Sequence, residues 1–417
     1  MKLLYAPDCS DHPNWGCRYM GDWYRNALAA VPGVNLRRIG SRWFFQQDAR
    51  IPAPANFGEL QRIAETAHRN DALANVAAAL AACDCLFMNA ENFIRPLTLK
   101  GRRLLMLAYL AKTVFAKPVL LANASLDLSE PALAELVAQV LPLLDEVQLR
   151  DDTSATRYAA LVPGVHFSRC IDVGWTAMPA PAQAWAALAL RDGQFAAWPD
   201  HSVGFDATRP YLTVCASSAF AQPDAANPTE AFVDLCRRLA EEVASVVLVA
   251  PCEVDARIMR KVQAATGLPL LGLNLPVQQG IDVLGNARVH VGGRWHPGIF
   301  AATGGTPLVA FGANTHKMHS LMAGLHPGEP VFDPARIGEQ VDAIVARARA
   351  QRDAGEALRA RVRDHAATMR AQVAGNLDIV ERMLVNLKLR QFLRRQCLGI
   401  FQITSKILRR PHGNFLL

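Results

Sequence analysis

Short apolar runs recur along this chain at the spacing of strand, helix, strand. Residues 288–319 give the sharpest instance. Val289 and Val291 bracket His290 in a β-favouring run, which Gly292-Gly293 ends. Pro297 suits the first turn of a helix, where its missing N–H has no partner to lose. Ile299, Phe300 and Thr303 give that helix an apolar side, and Gly304-Gly305 stops it. Leu308–Phe311 is a second apolar run, short enough for a strand buried on both faces. Further strands are expected at 2–6, 34–39, 83–88, 118–122 and 146–149, with 171–175 closing the first half, then at 211–216, 246–249 and 268–273. An alanine-rich stretch at 58–82 reads as one helix, and 335–385 as helical and charged. Alternation at this spacing requires parallel sheets with right-handed crossovers. The expected fold class is therefore α/β, with two Rossmann-like domains facing a cleft. A chain of 417 residues is long enough for two or three domains. The expected division is a first Rossmann-like domain at 1–175, the expected acceptor side. A passage rich in Ala, Pro and Trp follows at 176–208, then a second, donor-binding Rossmann-like domain at 209–385 and a tail at 386–417.

In an open α/β sheet, ligands bind beyond the carboxyl ends of the strands. Gly293, Arg294, His296 and Lys317 fall there, beside helix N-termini whose free N–H groups and dipole favour an anion. Arginine adds a planar fork for carboxylate or phosphate, and lysine a point charge. His296 brings one titratable group suited to general acid work. Spacing alone leaves helix capping by Arg294 and His296 as an equal reading. Asn14 and Gly16 suit a tight turn ahead of a helix at 18–30, either as a binding loop or as a cap. Glu91 ends a strand and faces the cleft as a base toward a hydroxyl, or else caps a helix. Arg150 stands at a strand terminus as a second holder of an anion. Asp151 reads as structural, with Thr153 or Ser154 capping the next helix. Trp43, Phe44 and Phe45 lie in an irregular excursion suited to lining an acceptor site.

Other features narrow the function. The net charge is +7, yet residues 382–417 carry eight Lys and Arg and no acid, so the body is close to neutral. That excludes a nucleic-acid-binding body. Leu389, Phe392, Leu393, Cys397, Ile400 and Phe401 fall at helical spacing among those arginines. Such a basic amphipathic helix either lies on an anionic membrane face or packs back on the body. No window reaches the ~18 uninterrupted apolar residues of a membrane span, and the N-terminus reads as a strand rather than a secretory signal. Nine scattered cysteines suggest free thiols in a reducing cytoplasm. His316 and His319 have helical spacing but no carboxylate pair or cysteines nearby. No metal and no cofactor is expected.

Gly293-Arg294-Trp295-His296, Ala301, Gly305-Thr306-Pro307-Leu308-Val309-Ala310 and Lys317 resemble the C-terminal signature of the polysaccharide pyruvyltransferase family. Asn14-Trp15-Gly16 is similar to that family's Asn-x-Gly loop, and Arg150-Asp151-Asp152-Thr153-Ser154 to its Arg-Asp-x-x-Ser. The resemblance covers roughly residues 1–330. It departs at Ala90 and Asn92, where relatives carry glycines around Glu91, and at Asn123–Ser125, often a glycine-rich turn. The resemblance implies a GT-B fold and transfer of the enolpyruvyl group of phosphoenolpyruvate to two sugar hydroxyls of a surface glycan or its lipid-linked precursor. Arg150, Arg294, Lys317, Gly293, Asn14 and Gly16 would then hold the donor. His296 would protonate the methylene carbon, and Glu91 would act as base. The departures keep a second reading open, a metal-independent GT-B glycosyltransferase using a CMP-, UDP- or GDP-linked sugar. A third is a non-catalytic glycan- or membrane-binding scaffold. The expected location is the cytoplasm, at the inner face of the cell membrane.

Overall fold

The computed structural model describes residues 1–46, 50–195, 205–222 and 225–389. The basic tail expected at 386–417 therefore lies outside the described residues from position 390 onward, and its membrane contact with it. Among the described residues no helix is long and apolar enough to cross a membrane.

Strands β1 (Lys2–Asp8), β2 (Asn35–Gly40), β3 (Cys85–Asn89), β4 (Val119–Ala124), β5 (Glu146–Leu149) and β6 (Ser168–Arg169) form one sheet in the order β2-β1-β3-β4-β5-β6. Strands β7 (Tyr211–Ser217), β8 (Ser245–Val249), β9 (Leu270–Leu271), β10 (His290–Gly293), β11 (Leu308–Phe311) and β12 (Val331–Phe332) form the other, ordered β12-β11-β10-β7-β8-β9. All their ladders are parallel. The inner strands β3, β4, β7, β10 and β11 are buried along their whole length, as strands covered by helices on both faces must be. Strand order reverses between β1 and β3 and again between β7 and β10. Crevices open at such points beyond the carboxyl ends of the strands.

Two expectations change. The helix anticipated at 58–82 is two helices, Phe57–Thr66 and Ala74–Ala82, separated by 3-10 turns. Asn70 breaks it by accepting from the Ala72 N–H at 3.0 Å, a local bond that competes with helix continuation. The segment that closes the first half carries a 3-10 turn at Val173–Thr176, whose N-cap is Asp172. The helix after β5 is capped by Asp151, which accepts from the Ser154 N–H at 2.8 Å, and not by Ser154 or Thr153.

The two halves dock through the first helix, Trp15–Ala30. Trp15 is fully buried and donates to the Leu273 carbonyl at 3.1 Å, while Arg18 reaches the same carbonyl at 2.7 Å. A single apolar cluster runs from Tyr5 and Tyr24 through Val173 and Trp175 to Ile299 and Phe300. The end of the described chain returns to the first half. Asn376 brackets the Ile171 backbone, Arg382 pairs with Glu146 at 2.9 Å, and Ile379, Val380 and Met383 join the cluster holding Tyr24.

Candidate active site

A cavity of about 260 Å³ opens where the carboxyl ends of the two sheets face each other. Asn14, Glu91, Arg150, Arg294, His296 and Lys317 all line it. The chain brings them together from the loops after β1, β3, β5, β10 and β11, which both strand-order reversals aim at one place. Gly16 and Gly293, expected to hold the donor, do not line it. A side chain on Gly293 would strike Ser217 Cβ at 2.6 Å, so that glycine lets the end of β10 lie against β7. Asn14 combines both readings offered by the sequence. It lines the cavity, and its side chain caps the first helix by accepting from the Cys17 N–H at 3.1 Å.

His296 stands in the first turn of the helix that follows β10, Trp295–Thr303. Its side chain is 11% exposed, and its Nε2 lies 3.5 Å from Asp172 Oδ2. The other ring nitrogen, Nδ1, abuts Gly16, where an added Cβ would come within 1.9 Å. Gly16 therefore acts through the imidazole rather than on the donor. Gly16→Ala should displace His296 and cut turnover at least tenfold with little change in melting temperature. Steady-state kinetics beside calorimetry tests this, and full activity in the variant would remove the assigned role.

The cations divide into two kinds. Arg150 is committed: its side chain is 1% exposed, pairs with Asp172 at 2.6 Å and donates to Ser125 Oγ at 2.8 Å. Those two bonds tie its Nε and Nη1 to the first half while the side chain also lines the cavity. Arg294 is anchored by Asp255 at 2.7 Å but keeps an unpartnered Nε–H. Burial opposes its charge, yet Asp255 raises its guanidinium well above the usual value. Lys317 is half-buried and forms no ion pair or hydrogen bond among the described residues. Burial, then the charges of Arg294, Arg95 and Arg150, push its ammonium down to about 7.

Two cations went unrecognised in the sequence. Arg95 and Lys100 line the same cavity, and burial lowers both from their ordinary values. Lys100 also sits 4.0 Å from the Phe45 ring centre. A signal existed: Lys100 falls in the first turn of the helix Leu99–Thr113, capped by Thr98. A cation there opposes the helix dipole unless an anion is held between them.

Glu91 is 3% exposed and has a positive φ of 43°, a backbone state uncommon for a residue with a side chain. Its carboxylate accepts from Cys17 Sγ at 3.2 Å and from Asn89 at 3.4 Å. Burial raises its carboxyl from the ordinary value. A carboxylate raised this way is a stronger proton acceptor, which suits base catalysis. His316, set aside as a metal ligand, instead meets Asp151 at 2.7 Å. Asp172 is the other residue the sequence did not reveal. Burial alone would raise its carboxyl, but His296 and Arg150 hold it well below the usual carboxylate range.

Residues 7–315 match a protein family described as polysaccharide pyruvyl transferase, a span that includes Arg294 and His296 and ends just before Lys317. A search of curated proteins gave no match. Among solved structures, the chain is similar to the UDP-GlcNAc 2-epimerase from Neisseria meningitidis bound to UDP-GlcNAc, with a TM-score of 0.56, 12% identity, and 93% of this chain and 100% of that chain covered. It is similar to S. aureus MnaA in its UDP co-structure, at 0.55 and 12% identity over 93% and 98%. It is also similar to an α,α-trehalose-phosphate synthase (UDP-forming) from Burkholderia vietnamiensis, at 0.51 and 14% identity over 92% and 98%. Identity this low speaks for the fold alone, and that fold is GT-B. With a match that spans the first sheet and enters the second through its cavity-lining loops, the chain belongs to the polysaccharide pyruvyl transferase family, and is a surface-glycan transferase.

Proposed function

We propose that this transferase moves the pyruvyl group of phosphoenolpyruvate onto two hydroxyls of one sugar as a ketal. The observation that carries the reading is the set Arg95, Lys100, Arg294 and Lys317, converging on one cavity beside His296. Four cations outnumber the cavity's carboxylates, Glu91 and Glu253, and call for a compact ligand bearing several negative charges. Phosphoenolpyruvate carries both a phosphate and a carboxylate. A volume of about 260 Å³ is below the ~300–1,000 Å³ typical of drug-sized ligands, which favours it over a sugar nucleotide.

In the reaction, protonated His296 gives its proton to the methylene carbon of the donor, which becomes the methyl group. One sugar hydroxyl attacks the adjacent carbon, and the C–O bond to phosphate breaks. A second hydroxyl closes the ketal on the same carbon. Of the two hydroxyl protons released, one restores His296 and the other leaves with inorganic phosphate, by way of Glu91. Arg294 and Lys317, with Arg95 and Lys100, hold the phosphate and carboxylate while charge moves.

Lys317 makes the donor identity measurable. In the empty site its ammonium titrates at about 7, so at pH 8 it is mostly neutral. A bound anion restores the charge, so phosphoenolpyruvate binding at pH 8 takes up a proton and weakens as pH rises from 6.5 to 8.5. Calorimetric titration in buffers of different ionisation enthalpy reads the uptake, which Lys317→Met should abolish. Binding of a CMP-, UDP- or GDP-linked sugar, with none of phosphoenolpyruvate, would establish the glycosyltransferase reading instead. Proton uptake that persists in Lys317→Met would transfer the effect to another group, Glu91 first.

A further inference from the structure

We infer that Asp172 is the positioning residue for His296, and that it acts across the junction between the two halves of the protein. This rests on His296 being the proton donor proposed above. Asp172 belongs to the first half, where it caps the turn Val173–Thr176 just after β6. His296 and Trp295 belong to the second half, at the start of the helix after β10.

The carboxylate is held on every side. Oδ2 accepts from Arg150 at 2.6 Å and from the Trp295 indole N–H at 2.8 Å, and it faces His296 Nε2 at 3.5 Å. Oδ1 accepts from the Gly174 N–H at 2.8 Å. Its side chain is 1% exposed, so these contacts are barely shared with water. Two glycines of the first half flank the imidazole. An added Cβ would lie 1.9 Å from Nδ1 at Gly16 and 3.4 Å from Cδ2 at Gly174. The ring thus has one slot, with Nε2 toward Asp172 and Nδ1 against Gly16. The slot exists only when the halves are docked. Helix Trp15–Ala30 presents Cys17, the loop after β3 presents Glu91, and the loop after β5 presents Arg150. These are the other titratable and charged groups around the ring.

This arrangement gives Asp172 two effects. It fixes the orientation of the ring, and its carboxylate, held well below the usual range by His296 and Arg150, keeps its negative charge opposite the imidazole as the proton moves. The Trp295 bond makes the same carboxylate report the docking of the second half. Proton donation is thereby confined to the docked arrangement, in which water is kept from the cationic carbon that protonation creates.

The test uses the full chain with phosphoenolpyruvate and a glycan acceptor. Asp172→Asn should lower kcat about 10²-fold or more, with KM for phosphoenolpyruvate changed by roughly twofold at most. The alkaline limb of the pH profile should move toward lower pH, because the carboxylate that interacts electrostatically with the ring has been neutralised. A purely structural role would lower kcat and leave the limb in place. Asp172→Asn strands buried Arg150, so the double variant Arg150→Met/Asp172→Asn, which removes the ion pair as a unit, guards against simple unfolding. A folded double variant with wild-type kcat, or with an unmoved limb, overturns the inference. His296→Ala separates the two failures: if it is inactive while the Asp172 variants behave normally, only the role of Asp172 falls. If His296→Ala is itself active, the proton-donor reading falls first.

Discussion

His296→Ala lowers kcat by about 10²–10⁴-fold and leaves the protein folded, the range expected when a positioned proton donor is removed. The loss is not expected to come from unfolding. The imidazole lies at the edge of a cavity, and its removal strands no buried charge. Asp172 keeps Arg150 at 2.6 Å, Trp295 at 2.8 Å and the Gly174 N–H at 2.8 Å. Phe300, stacked on the ring at 6.1 Å between centres, stays in the apolar cluster. Donor affinity should also survive, because the four cations remain. The expected signature is therefore a fall in kcat with KM nearly constant, measured by phosphate release, beside an unchanged melting curve. Turnover within a few-fold of wild type would assign the proton to another group.

Arg294→Met has the second large effect, and it is double. Asp255 is fully buried, and its remaining side-chain contact is the Cys252 thiol at 2.9 Å. Without Arg294 it becomes an uncompensated buried carboxylate, which costs about 3–5 kcal/mol of stability. The same change removes the fork facing the cavity, so phosphoenolpyruvate binding should weaken by at least tenfold. Two companions separate these consequences. Arg294→Met/Asp255→Leu removes the pair as a unit and should regain most of the stability without regaining the donor. Arg294→Lys should keep the pairing charge but lose bidentate contact with the anion. Denaturant unfolding and donor titration on the three variants decide the matter. Full donor affinity in the stable double variant would show that Arg294 serves the fold and not the ligand.

Much of this molecule was legible locally. The run from Val289 to Phe311 spells strand, helix and strand through β-branched spacing, Pro297 and paired glycines, and the structure has β10, a helix and β11 there. The placing of Arg294, His296 and Lys317 beyond strand ends followed from the same alternation. Even the cation in the first turn at Lys100 was present as an anomaly. The two-helix break at Asn70 was harder, because alanine-rich periodicity continues across it while one side-chain bond decides otherwise.

What the chain's own pattern determined was the α/β class, the parallel strands and the ends of those strands where charged groups gather, since each depends on neighbours a few residues apart. Tertiary structure alone decided what those groups face. Asp172 meets Trp295 across 123 positions, Arg150 pairs with Asp172 while lining the cavity, and Gly16 matters because an imidazole from the other half lies against it. Burial, pairing and steric exclusion are relations between distant segments, and no local periodicity encodes which of two available charges will find the other.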